Sequence, residues 1–292
     1  MPDAAYLGQT LVNGVSVGCI YGLIGIGFCV IYNASGIVNF AQGAFVMLGG
    51  MVTSGLQTKL GLPLAVAAAL AVAATAALGV IIERLVVRPL WERNATMFVM
   101  ILATLAAQIV IERATLIIAG DQPRSLPVFT DLPPIRIAGV SIGYQILWIL
   151  GISLVLIALL AFFFQRTLVG RAMRACAINR EAAALQGIPV SRMLALSFAL
   201  SAALGAIAGI LLTPTQYTAF NVGTPFAISG FIAAIVGGFG RPFGAFLGGI
   251  ALGILQALAV FVFGAAMKNV AALSILLIFL FFRPSGILGE AK

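Results

Sequence analysis

The chain has 292 residues, of which 62% are hydrophobic and only 8% charged, with a mean hydropathy of +1.17; no water-soluble domain could carry that surface, so the solvent is lipid. The net charge of +8 would point to nucleic acid in a soluble protein, but here the excess is arginine at the ends of apolar segments, the pattern that orients helices in a membrane. With no histidine and three scattered cysteines (Cys19, Cys29, Cys176), zinc sites, disulfide frameworks and Ser/His/Asp chemistry are excluded. No Gly-rich phosphate loop and no paired carboxylates occur, so neither ATP binding, a cofactor nor catalysis is expected of this chain.

The start MPDAAYLGQ lacks a basic stretch and a small-residue cleavage site, so the first apolar segment is expected to be retained as a span. Apolar segments follow at Leu7 to Ile31, Ile37 to Leu56, Leu62 to Ile82, Thr96 to Ala119, Tyr144 to Phe164, Met193 to Leu212, Ala227 to Gly238, Ala245 to Phe263 and Val270 to Phe282. The second is interrupted by polar residues and the seventh and ninth are short, so one is a candidate re-entrant segment. The fold class expected is all-α: one polytopic transmembrane bundle of about 8–9 spans over residues 1–292. Rows of small residues such as Gly14, Gly18, Gly22 and Gly248, Gly249, Gly253 read as close helix packing in lipid.

Arg84, Arg88 and Arg93 in one connection, and Arg166, Arg171, Arg174, Arg180 and Arg192 in another, place both on the cytoplasmic side. The Pro-rich stretch from Gly120 to Gly143 is then external. Arg241 falls inside, Arg283 and Lys292 put the C-terminus inside, and a nine-span count puts the N-terminus outside.

The long basic connection, about 165–192, reads as ordered. Asn179 can cap a helix, Glu181 suits its first turn, Gly187 can end it and Pro189 prevents continuation. Ala175, Ile178, Ala182 and Leu185 fall at helical spacing, giving an apolar face outside the bilayer that needs a partner surface. Within the spans, the large amides Asn39, Gln42, Gln108 and Gln256 are candidates for lining a pathway, since an unsatisfied amide facing lipid is costly. Glu112 beside Arg113 is expected to mark the outer end of its helix. Pro214 and Pro225 frame Thr215, Gln216, Tyr217 and Asn221 in a segment expected outside.

Four ordered motifs carry a family resemblance. Asn39-Phe40-Ala41-Gln42-Gly43 opens the second span; Ile82-Glu83-Arg84 precedes Arg88-Pro89-Leu90; Gly170-Arg171-Ala172-Met173-Arg174-Ala175 leads to Glu181-Ala182-Ala183 and Gly187; and Gly237-Gly238-Phe239-Gly240 leads to Gly244-Ala245 and Gly248-Gly249. Together they resemble the shorter permease subunit of ATP-binding-cassette importers of the branched-chain amino-acid type. The resemblance implies a bacterial inner-membrane subunit paired with a second permease, two cytoplasmic ATPase subunits and a soluble binding protein. It also implies that Asn179, Arg180, Glu181, Ala182, Ala183 and Gly187 form the loop that engages the ATPase. Ala44 stands where the family often has an acid and Gln256 where a Glu is common, which leaves branched-chain amino acids, urea or short amides open as substrates. A stand-alone secondary transporter or channel is the alternative, disfavoured by the scarcity of ionisable residues in the spans.

Overall fold

The computed structural model describes residues 4–137, 139–282 and 286–287. Arg283 and Lys292, expected to hold the C-terminus inside, lie outside the described residues. Each predicted apolar segment is a helix. They are α1 (Ala4–Ser35), α2 (Gln42–Leu60), α3 (Leu64–Ile82), α5 (Met97–Ala119), α6 (Tyr144–Arg166), α9 (Val190–Gln216), α10 (Gly223–Gly237), α11 (Pro242–Phe263) and α12 (Lys268–Phe282). A five-residue π segment, Glu83–Val87, joins α3 to the short α4 (Arg88–Glu92), and the basic connection folds into α7 (Leu168–Ile178) and α8 (Arg180–Leu185). Among the described residues, seven helices are long and apolar enough to cross a membrane; α2 falls outside that set and α10 is shorter. The fold is an all-α polytopic bundle.

Beyond its first turns α1 is apolar nearly all round, as a helix must be where protein surrounds it. It is wholly buried from Gly18 to Ile31 while its first turns are partly exposed, and of α12 only Ala272 is buried. α11 is its closest neighbour, and the predicted glycine rows form this seam: a Cβ on Gly18 would lie 2.7 Å from Ile250 Cα, and one on Gly14 2.9 Å from Ala257 Cβ. Without side chains at these positions the two backbones approach far enough for dispersion to hold them together, the main attraction available where lipid is as apolar as leucine.

The bundle has two polar ends. At one, Arg180 reaches Asn94, Arg88 reaches the Ser191 carbonyl and Asn33 reaches the Gly240 carbonyl, gathering the arginine-rich connections on one basic face. At the other, Arg124 bridges Thr218 and Ser141 N donates to Gln9. The stretch expected to be external holds a small hairpin there, β1 (Ile135–Ile137) paired antiparallel with β2 (Val140–Ile142). The chain changes face at every apolar segment, α2 and α10 included, which puts the start of α1 at the hairpin end.

Two segments differ from the sequence expectation. The second span is helical only from Gln42, and residues 37–41 are not helical, although Ile37, Val38, Asn39 and Ala41 are all buried. The sixth runs past Pro214 to Gln216, so Thr215 and Gln216 belong to its last turn rather than to a loop, and Tyr217 ends it with φ of +47°.

Candidate functional site

Residues 36–41 run inward from the basic face, and α2 starts only inside the bundle. Residues 217–222 do the same from the opposite face before α10. Non-helical backbone at membrane depth is tolerable only where protein or a cavity satisfies it. Here Asn39 Oδ1 accepts from Ala41 N at 3.1 Å and Phe40 N donates to Thr104 Oγ1 on α5 at 3.2 Å. The two helix starts then meet: a Cβ on Gly43 would lie 2.8 Å from the Gly223 carbonyl oxygen. Neither start has a side-chain cap among the described residues, so two positive dipole ends converge in the interior.

Three of the four predicted pathway amides gather around this break. Asn39 is fully buried, and its Nδ2 has no hydrogen-bond partner among the described residues. Gln42 is also fully buried but satisfied: its Nε2 donates to the Ser201 carbonyl at 3.2 Å, and its Oε1 accepts from Ser201 Oγ at 2.6 Å. Ser201 Oγ also lies 2.8 Å from the Gly27 carbonyl, so Gln42 ties α1, α2 and α9 together.

Gln108 leads to a cluster that hydropathy did not reveal. Its Nε2 donates to Glu112 Oε1 at 3.1 Å and lies 2.6 Å from Thr224 Oγ1, while Thr224 Oγ1 donates to Glu112 Oε1 at 2.7 Å. Glu112 therefore does not mark the helix end; α5 continues to Ala119, about 10 Å further at 1.5 Å per residue. Gln108 is buried, but Glu112 and Thr224 are only half-buried and Arg113 is exposed. A half-exposed carboxylate at this depth cannot face hydrocarbon, so this side of α5 and α10 faces water or another protein. The sequence signal was available: Glu112 and Arg113 were the one charged pair well inside a predicted span.

Gln256 stands apart. It is 2% exposed in α11, and neither amide atom has a hydrogen-bond partner among the described residues. It lines a cleft of about 350 Å³ at the hairpin end with Gln9, Asn13 and Lys268.

On the basic face, α8 is built as its sequence indicates. Asn179 Oδ1 accepts from Glu181 N and Ala182 N, both at 3.0 Å. Gly187 sits at φ of +79°, where a Cβ would be strained, and Gly187 N and Ile188 N return to the Ala184 and Ala183 carbonyls. Glu181 and Ala182 are exposed and Ala183 points inward. One expectation changes: Ala175, Ile178, Ala182 and Leu185 do not share one helix, because Asn179 is extended and separates α7 from α8. Ile178 and Leu185 are nonetheless each 87% exposed outside the apolar bundle.

The support beneath α8 escaped the sequence reading. Arg180 donates to Asn94 Oδ1 at 2.6 Å and stacks 5.1 Å from the Trp91 ring centroid. Below it the wholly buried Glu83 takes a bidentate pair from Arg88, Nε to Oε1 at 2.9 Å and Nη2 to Oε2 at 3.0 Å. The π segment explains that spacing: Arg88 N bonds to Glu83 O, which brings residues five apart onto one side, and Pro89 has no N–H to continue an α pattern. Cys176, buried in α7 beside this loop, has its thiol pKa raised by desolvation.

Comparison with known proteins agrees along the whole chain. Residues 10–282 match the family described as "Branched-chain amino acid transport system / permease component". The chain is 36% identical over 308 residues to the high-affinity branched-chain amino acid transport system permease protein BraD of Pseudomonas aeruginosa, covering 100% of this chain and 99% of that one. It is 31% identical over 304 residues to the corresponding protein LivH of Salmonella typhimurium, covering 98% and 97%. Among solved structures, PsaBC from Streptococcus pneumoniae in complex with Fab matches with a TM-score of 0.53 at 13% identity, over 95% of this chain and 92% of that one, a likeness of fold alone. The chain belongs to the permease components of branched-chain amino acid transport systems: it is a multi-pass membrane transport subunit and not an enzyme.

Proposed function

We propose that this chain forms half of the translocation pathway of an ATP-binding-cassette importer in the bacterial inner membrane, and that its substrate is a branched-chain or similarly apolar amino acid. The basic face is then cytoplasmic, where α8 meets one of two ATPase subunits, and the hairpin end receives a soluble binding protein. The other half of the pathway is a second permease subunit, placed against α5 and α10.

The observation that carries this reading is the Gln108–Glu112–Thr224 cluster at the uncapped start of α10. An amino acid presents an ammonium and a carboxylate on one carbon. Glu112 supplies a countercharge for the ammonium, and the Gly223 and Thr224 amides at the positive end of α10 suit the carboxylate. Gln108 and Thr224 hold Glu112 in place, and Asn39 and Gln42 shape the wall at the break. Gln256 belongs to an outer cleft rather than to this site.

Uptake of labelled leucine by the complete importer tests the assignment. Glu112→Gln is expected to lower uptake at least tenfold with membrane insertion and ATPase association unchanged, and Glu112→Asp to retain part of it. Wild-type uptake by the Gln variant would overturn the role of Glu112.

A further inference from the structure

A cavity of about 500 Å³ opens at the basic face between α1, α6, α7 and the start of α11. Its inner walls are Ile26, Ile157, Leu160, Phe164 and Phe243, and its rim carries Arg174 and Arg241. Ile157 lies nine residues before Arg166, the end of α6, so the apolar wall reaches about 14 Å below the rim. The flank beside it, Leu159 and Phe162, is more than half exposed in a helical region that only lipid can solvate. Arg174 makes no hydrogen bond or ion pair among the described residues.

We infer that this cavity is a binding site for an anionic glycerophospholipid of the leaflet on the basic side, with the phosphate at Arg174 and an acyl chain along α6 and α11. The walls decide the lower half of the occupant. An apolar space that runs about 14 Å below the rim, beside a flank exposed only to lipid, is filled by lipid tails. The rim decides the upper half. The Arg174 guanidinium matches a phosphate's oxygens and geometry, Arg241 adds positive charge to the same rim, and basic pockets between helices on this side of a membrane select anionic head groups. Arg241 precedes Pro242 at the start of α11, so the helix dipole adds to the same attraction.

The test is native mass spectrometry of the full complex, delipidated and then reloaded with phosphatidylglycerol or phosphatidylcholine. Tight retention of phosphatidylglycerol, at least several-fold above phosphatidylcholine, is expected. Arg174→Glu should abolish that preference, whereas Arg171→Glu, on the same helix but away from the cavity, should leave it intact. Ala161→Trp, which fills the cavity from an exposed position, should reduce retention of both lipids. Equal retention of the two lipids by the wild type would overturn the site. So would a loss of preference with Arg171→Glu as large as with Arg174→Glu, since that is the signature of diffuse surface charge. Unchanged retention in Ala161→Trp would show that the chain binds elsewhere and would overturn it too.

Discussion

Glu83 is a carboxylate without exposed surface, and its stability depends on one partner. Removing Arg88 leaves an uncompensated buried charge, a change that costs about 3–5 kcal/mol in comparable pairs, while replacing both members with apolar groups of similar volume is often neutral. Arg88→Ala should therefore lower the melting temperature of the detergent-solubilised protein strongly, and Glu83→Leu with Arg88→Met should recover most of the loss. An equal loss in the single and double variants would show that the pair is not the source. Asn179 offers a milder case, because its two cap bonds are exposed. Asn179→Ala should cost about 1 kcal/mol of local helix stability, visible as faster hydrogen exchange at residues 181–185 with the spans unaffected. The cap, the acid in the first turn and the terminating glycine of α8 were legible in sequence because each acts within a few residues of itself. The Glu83–Arg88 pair was not, because an i, i+5 contact has no meaning on an α-helix and the π segment that creates it is a local response to Pro89.

That the apolar segments form helices was legible for a similar reason: hydropathy reports non-aqueous surroundings, lipid for the outer helices and protein for most of α1. Where the reading failed, composition and conformation part ways. Ile37, Val38, Phe40 and Ala41 count as span residues in any hydropathy window, yet the chain there is non-helical because its backbone finds Thr104 and Asn39 as partners. Nothing within the segment itself encodes a partner on α5. The same holds for α10, whose start is fixed by contact with Gly43 and by Glu112. Gly43→Ala is expected to push the starts of α2 and α10 apart, since its Cβ would meet both the Gly223 carbonyl and Ala227 Cβ. A severe loss of uptake in protein that still reaches the membrane is expected, whereas Gly151→Ala, which meets nothing within 4 Å, should be silent. Equal uptake by the two variants would remove the close approach from the mechanism.

Taken whole, the molecule has its polar break in the interior and its capped helix outside, and α9 connects them. Arg88 grips the Ser191 carbonyl at the start of α9, α8 hands the chain to α9 through Ile188 and Pro189, and Ser201, ten residues beyond Ser191, holds Gln42 beside the break. Under the proposed function, a helix fixed at both points would pass a displacement of α8 to the start of α2, the kind of element whose two positions a nucleotide-driven partner can bias. That scheme needs a grip on α8, and Leu185 at its end, with Ile178 at the end of α7, provides the apolar surface for it, since each is 87% exposed on the polar side of the bundle. Leu185→Asp removes only an exposed side chain, so the chain should insert and melt as the wild type does. Co-purification with the ATPase subunits and leucine uptake should both fall about tenfold or more, and Ile178→Asp should behave alike. If either variant assembled and transported normally, the ATPase would have to act through another part of the basic face, and the α8-to-α9 route would lose its input.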